Sequence, residues 1–227
     1  MQRRRFSSVT LAGLGLSLGS PVVQAFSLGD ADASAGVKAA LERGAVAAVA
    51  LLGRTDGFLG NALVRIALPG YLNDGAKVMK ALGQQKRVEE LLTAMNRAAE
   101  SAVPQAQDLL VSTVRNLSVQ DAVRIVKGGD TSVTDFFAGR TRSPLSERFL
   151  PIVTQATERV SLAEKYNSVA GKATGLGLVK KEDANIQSYV TRKALDGLYL
   201  MIGEEEKKIR RDPVATGSDI LRKVFGR

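Results

Sequence analysis

Apolar residues recur every three to four positions in segment after segment of this chain, and that period restricts the fold more than any other feature. In QKRVEELLTAMNRAAESA, residues 85–102, Val88, Leu91, Leu92, Met95, Ala99 and Ala102 fall on one stripe while Arg97 points away, the pattern of a half-buried helix. SAGVKAALERGAVAAVALLG follows two good N-cap types, Asp32 and Ser34, and lines up Val37, Ala40, Leu41, Gly44, Ala48, Leu51 and Leu52. Small residues on that face predict close helix–helix approach. Ala45 to Leu52 is apolar on all sides but too short to span a bilayer, which takes about twenty residues.

The pattern breaks in GRTDGFLGNALVRIALPGYL. Thr55-Asp56-Gly57 is turn chemistry, and Val64 to Leu68 suits extended backbone before Pro69. A long ordered loop is expected near residues 53–72. Helical periodicity resumes at about Asn73, and Pro104 should kink or start a helix. Ser118, with Asp121 three residues on, predicts an N-cap, and Gly128-Gly129 a helix end.

Further on, the sequence predicts a short helix through Phe136 and Phe137, then a basic loop from Arg140 to Pro144. A helix presenting Phe149, Ile152, Val153, Ala156 and Val160 should come next. Residues 165–184, rich in Gly and Lys, read as irregular. Helices from Asn185 to about Arg211 and from Thr216 to Phe225 close the chain, separated by Asp212-Pro213. No fixed repeat or low-complexity linker divides it. The expected fold is all-α: a single-domain bundle of about eight to ten helices over residues 26–227.

Residues 1–25 read as a cleaved export signal. Arg3, Arg4 and Arg5 form a basic head, Val9 to Leu18 a short Gly-containing apolar stretch, and Val23-Gln24-Ala25 a cleavage site before Phe26. Arg-Arg followed by Arg5-Phe6 fits the twin-arginine export pattern as well as general secretion. The remaining chain stays basic, within a formal net charge of +9 for the whole, which suits acidic partners without naming one.

Cysteine and histidine are both absent. No disulfide framework exists, and the imidazole base, thiolate nucleophile and ordinary zinc site are excluded. Catalysis would have to run on Asp, Glu, Lys, Tyr or Ser. Phosphate motifs fail too: in AGKATGLGLVKK, Tyr166 stands where a P-loop needs Gly and Ala173 where it needs Ser or Thr. A dinucleotide fingerprint fails at Lys180. DTSVTD lacks the glycine and the ligand spacing of a calcium loop. Aromatics, at 5%, are too sparse for a nucleic-acid stacking face.

The one candidate site lies in KALDGLYLMIGEEEKKIRRDP. At 100° per residue, Leu195, Leu198, Tyr199, Ile202 and Ile209 share an arc of about 100°. Glu206 falls inside that arc, Glu205 at its edge, and Glu204 nearly opposite, with Lys208 as its expected i,i+4 partner. A carboxylate on an apolar stripe must be paired, hydrogen-bonded or protonated. Glu206 is therefore either one half of a structural ion pair, with Arg210 or an arginine of another helix, or a functional group in an interhelical pocket near Glu205 or Tyr199.

Several stretches together carry a resemblance: LGRTDGFLGN, MNRAAESAVPQA, GGDTSVTDFF, FLPIV, KALDGLYLMIGEEEKKIRRDP and ILRKVFG. In this order, from about Val37 to Gly226, the chain resembles the bacterial domain-of-unknown-function 4197 family. The resemblance implies an exported, predominantly helical protein of Gram-negative bacteria and carries no activity. Some members look like lipoproteins; lacking cysteine, this chain departs from that pattern, which implies a soluble periplasmic protein.

The function expected is non-enzymatic: a periplasmic binding or envelope-associated structural protein without cofactor, nucleic-acid partner or transmembrane segment. Its partner would be an envelope protein, a lipid or an apolar small molecule. The alternative is a carboxylate-based hydrolase or lyase using Glu206.

Overall fold

The computed structural model describes residues 30–70, 73–129, 131–177, 183 and 185–212. In chain order these form α1 (Asp30–Gly53), α2 (Asn73–Ala81), α3 (Gln85–Ala102), a 3-10 turn (Val103–Ala106) and α4 (Gln107–Arg115). Then come α5 (Val119–Lys127), α6 (Ser132–Thr157), α7 (Ser161–Gly175) and α8 (Ile186–Arg211). The chain is all-α, and the described residues contain no strand. The signal-like residues 1–25, with Ala25 and Phe26 at the cleavage point, and the helix expected over 216–225 lie outside the described residues.

The eight α-helices described fall at the lower end of the expected eight to ten, because the stretches on either side of Arg140–Pro144 are one helix. In α6 the buried residues are Val133, Phe137, Thr141, Leu145, Phe149, Val153 and Thr157, one every fourth position. Such a stripe winds slowly around the helix, so α6 can bury it against α8, α3 and α4 in turn. Thr141 keeps its place in the stripe by donating its hydroxyl to the Phe137 carbonyl, 2.7 Å away. Pro144 and Pro151 sit inside this helix. Each removes one backbone donor, and packing along both flanks overrides the penalty.

Two other boundaries differ from expectation. α1 begins at Asp30, so Asp32 and Ser34 lie within the helix rather than ahead of it. α7 runs through Ser161–Gly175, so much of the stretch expected to be irregular is helical. Ser118 does cap α5, accepting from the Asp121 amide at 3.0 Å, and Asn185 caps α8 in the same way through the Ser188 amide at 2.7 Å.

α8 is the central element, packed on α6 and α1 and touching α3. It lies against α1 at Gly44, where a Cβ would stand 3.6 Å from the Glu205 Cβ, an ordinary contact that leaves room for alanine. The expected loop is present over residues 54–69, irregular but set firmly into the core. Phe58, fully buried, is among its largest side chains, beside Tyr199, Phe137 and Phe149.

Candidate functional site

The charged end of α8 is closed. Glu206 is 7% exposed, its Oε1 accepts from Arg210 Nε at 2.8 Å, and Arg210 Nη2 lies 2.7 Å from the same oxygen as an ion pair. The same Arg210 Nη2 donates to the Ile125 carbonyl at 3.0 Å and approaches Ser132 Oγ at 3.3 Å. One guanidinium thus ties α8 to the end of α5 and the start of α6. Beside it lies a cavity of about 20 Å³ whose walls include Val37, Leu41, Ile125, Val133 and Ile202, with no acid besides Glu206 among the described residues. That is room for about one water and for no substrate.

The structure does not gather Glu206, Glu205 and Tyr199 into one constellation. Glu205 accepts from Lys208 at 2.6 Å, and Glu204 from Lys207 at 2.8 Å. Lys208 is therefore the partner of Glu205 at i,i+3 and not, as expected, of Glu204 at i,i+4. The Lys207 ammonium holds the half-buried Glu204 carboxyl below its usual range. Tyr199 faces α6 instead, its hydroxyl 2.8 Å from Thr141 Oγ1 and its ring 5.0 Å from the Arg142 guanidinium. Burial pushes this phenol above its ordinary value, against the pull of Thr141 and Arg142.

The polar groups that most shape the molecule are two that the helical pattern alone did not single out. Asn96 and Glu100 are fully or almost fully buried on α3, at i,i+4 along one edge of its apolar stripe. Asn96 Oδ1 accepts from the Ile66 amide at 2.8 Å, and its Nδ2 donates to the Ile66 carbonyl at 2.9 Å. Glu100 Oε1 accepts from the amides of Phe58 and Leu59 at 3.0 and 3.1 Å. Its Oε2 takes Arg97 Nη1 at 2.6 Å, and Arg97 Nη2 reaches Asp56 at 2.8 Å. These side chains supply partners that a strand neighbour would otherwise provide, and they tie the loop at 54–69 to α3.

In front of this clamp the surface is concave. A groove of about 340 Å³ runs between Ala67 and Leu68 of the loop, Ala76, Lys77 and Lys80 of α2, and Val88 and Leu92 of α3. Irregular backbone normally lines a groove with polar groups. Here the amide and carbonyl of Ile66 are taken by Asn96, and the Ala67 carbonyl accepts from the Tyr189 hydroxyl at 2.9 Å. Those groups turn toward the core, and two lysines one turn apart stand on the side of the groove opposite Ala67 and Leu68.

Compared with known proteins, residues 27–226 match the model of DUF4197, described as a protein of unknown function. The chain belongs to the DUF4197 family. No curated protein and no solved structure matches it.

The DUF4197 stretches that carried the resemblance turn out to be partners in space. LGRTDGFLGN supplies Asp56, Phe58 and Leu59 of the loop, and MNRAAESAVPQA supplies Asn96, Arg97 and Glu100, which hold it. KALDGLYLMIGEEEKKIRRDP supplies Gly197, the floor under Phe58. The available sequence signal was modest: two hydrogen-bonding residues four apart at the edge of an apolar stripe, in a chain with one long non-helical segment. The groove gave no signal, because its walls come from three separate segments. Among the described residues no group of three or more acidic side chains converges as a metal site would require.

Proposed function

We propose that this DUF4197 chain is an exported, soluble, non-enzymatic protein of the Gram-negative periplasm, and that it works by binding an apolar or amphiphilic small molecule. The observation that carries the reading is the groove between the loop, α2 and α3, which is concave, apolar-walled and of ligand size. The contrast with α8 supports it: Glu206, the residue a carboxylate-based hydrolase or lyase would need, lies beside a cavity of about 20 Å³ and is engaged by its own arginine. No described helix is long and apolar enough to cross a membrane. Export rests on the composition of residues 1–25.

Expression of the full-length chain in a Gram-negative host, followed by fractionation and native mass spectrometry, tests this. The expected product is a periplasmic protein beginning at Phe26 and carrying a small molecule that a bulky residue at position 76, such as Ala76→Trp, excludes. A cytoplasmic, unprocessed product would overturn the export reading. Hydrolytic activity abolished by Glu206→Gln in a folded protein would overturn the non-enzymatic one.

A further inference from the structure

We infer that the seam between the 54–69 loop and α8 is a reversible docking surface for an anionic phospholipid bilayer. Leu63 and Leu200 enter the interface, and Arg65 and Lys193 meet the headgroups; the groove plays no part in this. Asn61 fixes one end of the seam. Its carbonyl accepts from the Val64 and Arg65 amides at 3.2 and 2.9 Å, and its Oδ1 from the Leu63 amide at 3.1 Å. Val64 then lies on α8, where a Cβ at Gly197 would stand 3.2 Å from the Val64 Cβ. Farther along, the Ala67 carbonyl accepts from the Tyr189 hydroxyl at 2.9 Å. The segment therefore runs antiparallel to α8, with Leu63 toward Leu200 and Arg65 toward Lys193.

Val64 and Ile66 are buried while Leu63 and Arg65 are exposed, and on α8 Lys193, Gly197 and Leu200 share an arc of about 60°. Leu63 is 64% exposed and Leu200 42%. Lone exposed leucines are ordinary. Two at the same end of one seam, one of them on a turn that Asn61 holds, present apolar surface in a fixed position. The described acids on this face are already engaged. Asp196 accepts from Arg142 at 2.8 Å and Arg192 at 3.3 Å, Asp183 from Arg192 at 2.7 Å, and Glu204 from Lys207 at 2.8 Å. Arg65 and Lys193 have no such partner among the described residues, so the seam keeps surplus positive charge beside its leucines. Two side chains are far less than the roughly 800 Å² that a stable protein interface buries on each partner. Shallow insertion next to basic groups suffices for reversible binding to an anionic bilayer, because apolar burial and headgroup attraction add.

The chain contains no tryptophan, so Leu63→Trp gives a single fluorescent reporter in the seam. Ser112→Trp gives one on α4, which packs on α1 and α6 rather than on α8. These two variants, the mature chain, Leu63→Ser and Arg65→Gln are mixed with vesicles of phosphatidylcholine, alone or with an equal part of phosphatidylglycerol. Co-flotation reads binding, and circular dichroism checks that the exposed substitutions leave the fold intact. The mature chain should bind the anionic vesicles only, and less as salt rises. Arg65→Gln should weaken binding about fivefold and Leu63→Ser about tenfold. Emission from Leu63→Trp should shift to the blue on binding, and emission from Ser112→Trp should not. Binding that shifts only the Ser112→Trp emission, or that ignores both Leu63→Ser and Arg65→Gln, would put the docking face elsewhere and overturn the inference. Equal binding to both vesicles, indifferent to Arg65→Gln, would remove the anionic assignment. No binding to either vesicle would sink the bilayer as partner, and a photocrosslink from position 63 to an acidic envelope protein would then assign the seam to that protein.

Discussion

Asn96 pairs with Ile66 as one backbone unit pairs with another in a sheet, its amide oxygen on the Ile66 N–H at 2.8 Å and its amide nitrogen on the Ile66 carbonyl at 2.9 Å. A side chain on α3 thereby holds non-helical backbone thirty residues away in sequence. Both Ile66 groups are within the core, out of reach of solvent. Asn96→Ala leaves them without partners, and the expected loss is about 2–4 kcal/mol in denaturant unfolding. Asn96→Asp keeps the acceptor, loses the donor and buries a charge, so it is expected to fare no better. Hydrogen exchange at the Ile66 amide should rise in both variants well before global unfolding; protection equal to wild type would show that the loop holds itself.

Glu100, a turn further along α3, does for Phe58 and Leu59 what Asn96 does for Ile66, and its two oxygens divide the labour. Oε1 serves the Phe58 and Leu59 amides and Oε2 serves Arg97. Glu100→Ala strips both amides of their acceptor and should lower stability by about 2–3 kcal/mol. Glu100→Gln keeps an acceptor oxygen for the amides and turns an NH₂ toward Arg97, so the loss should be distinctly smaller. Equal losses for the two variants would mean that the ion pair, not the amide contacts, holds the loop.

Gly197 on α8 allows Phe58 to lie directly on the helix. A Cβ at this position would meet Phe58 Cε1 at 2.8 Å and Val64 Cβ at 3.2 Å. Alanine is the better helix former by about 1 kcal/mol, so an exposed glycine replaced by alanine would stabilise. Here the expected sign is the opposite. Gly197→Ala should cost about 1–3 kcal/mol through overpacking against a ring with no room to move. Thermal unfolding checks it, and a rise in melting temperature would refute the close approach.

The fold was legible where one periodic signal decided an element, and obscure where two segments had to be known at once. α3 and α8 were readable because their stripes are mostly aliphatic. α6 was not read as one helix because Thr141 stands in its stripe between Arg140 and Arg142, and Pro144 and Pro151 look like boundaries. Only the hydroxyl's bond back to Phe137 and the packing on α8 reveal that Thr141 belongs to the core. Glu206 was found by its position on a wheel, and Arg210, four residues on, could be named as a possible partner. Asn96 and Glu100 were not found, since their partners are backbone groups, which no residue type announces.

Tyr199 gives the chain a specific alkaline weakness. Burial raises its folded-state pKa, so folded and unfolded forms are both protonated below the ordinary value of about 10, and the contribution is fully present there. Above that value the unfolded phenol ionises first and stability falls until the folded phenol follows. Tyr199→Phe should lose about 1 kcal/mol at neutral pH, where it gives up the contact with Thr141. Its stability should fall less steeply than wild type above pH about 10. Parallel alkaline limbs for the two proteins would show that Tyr199 ionises equally in both states.

The pair at the end of α8 should respond asymmetrically to loss of either member. Arg210 is the more exposed partner, with side-chain exposures of 21% against 6%, and it keeps the Ile125 carbonyl and Ser132 hydroxyl when the carboxylate goes. Glu206→Met should therefore cost little, within about 1 kcal/mol, since methionine packs with the surrounding Val37, Leu41 and Ile202. Arg210→Met leaves the carboxylate in the core without its guanidinium and should cost about 3 kcal/mol or more. The double variant should recover most of that loss, because the charge that demanded the arginine is gone. Thermal and denaturant unfolding of the four proteins at pH 7 complete the cycle. If Arg210→Met is the milder of the two single changes, Glu206 does not depend on Arg210 and the structural account of α8 fails. If Glu206→Met instead raises stability well above wild type, the carboxylate is kept at the expense of folding, as catalytic groups often are, and the hydrolase or lyase alternative regains its residue.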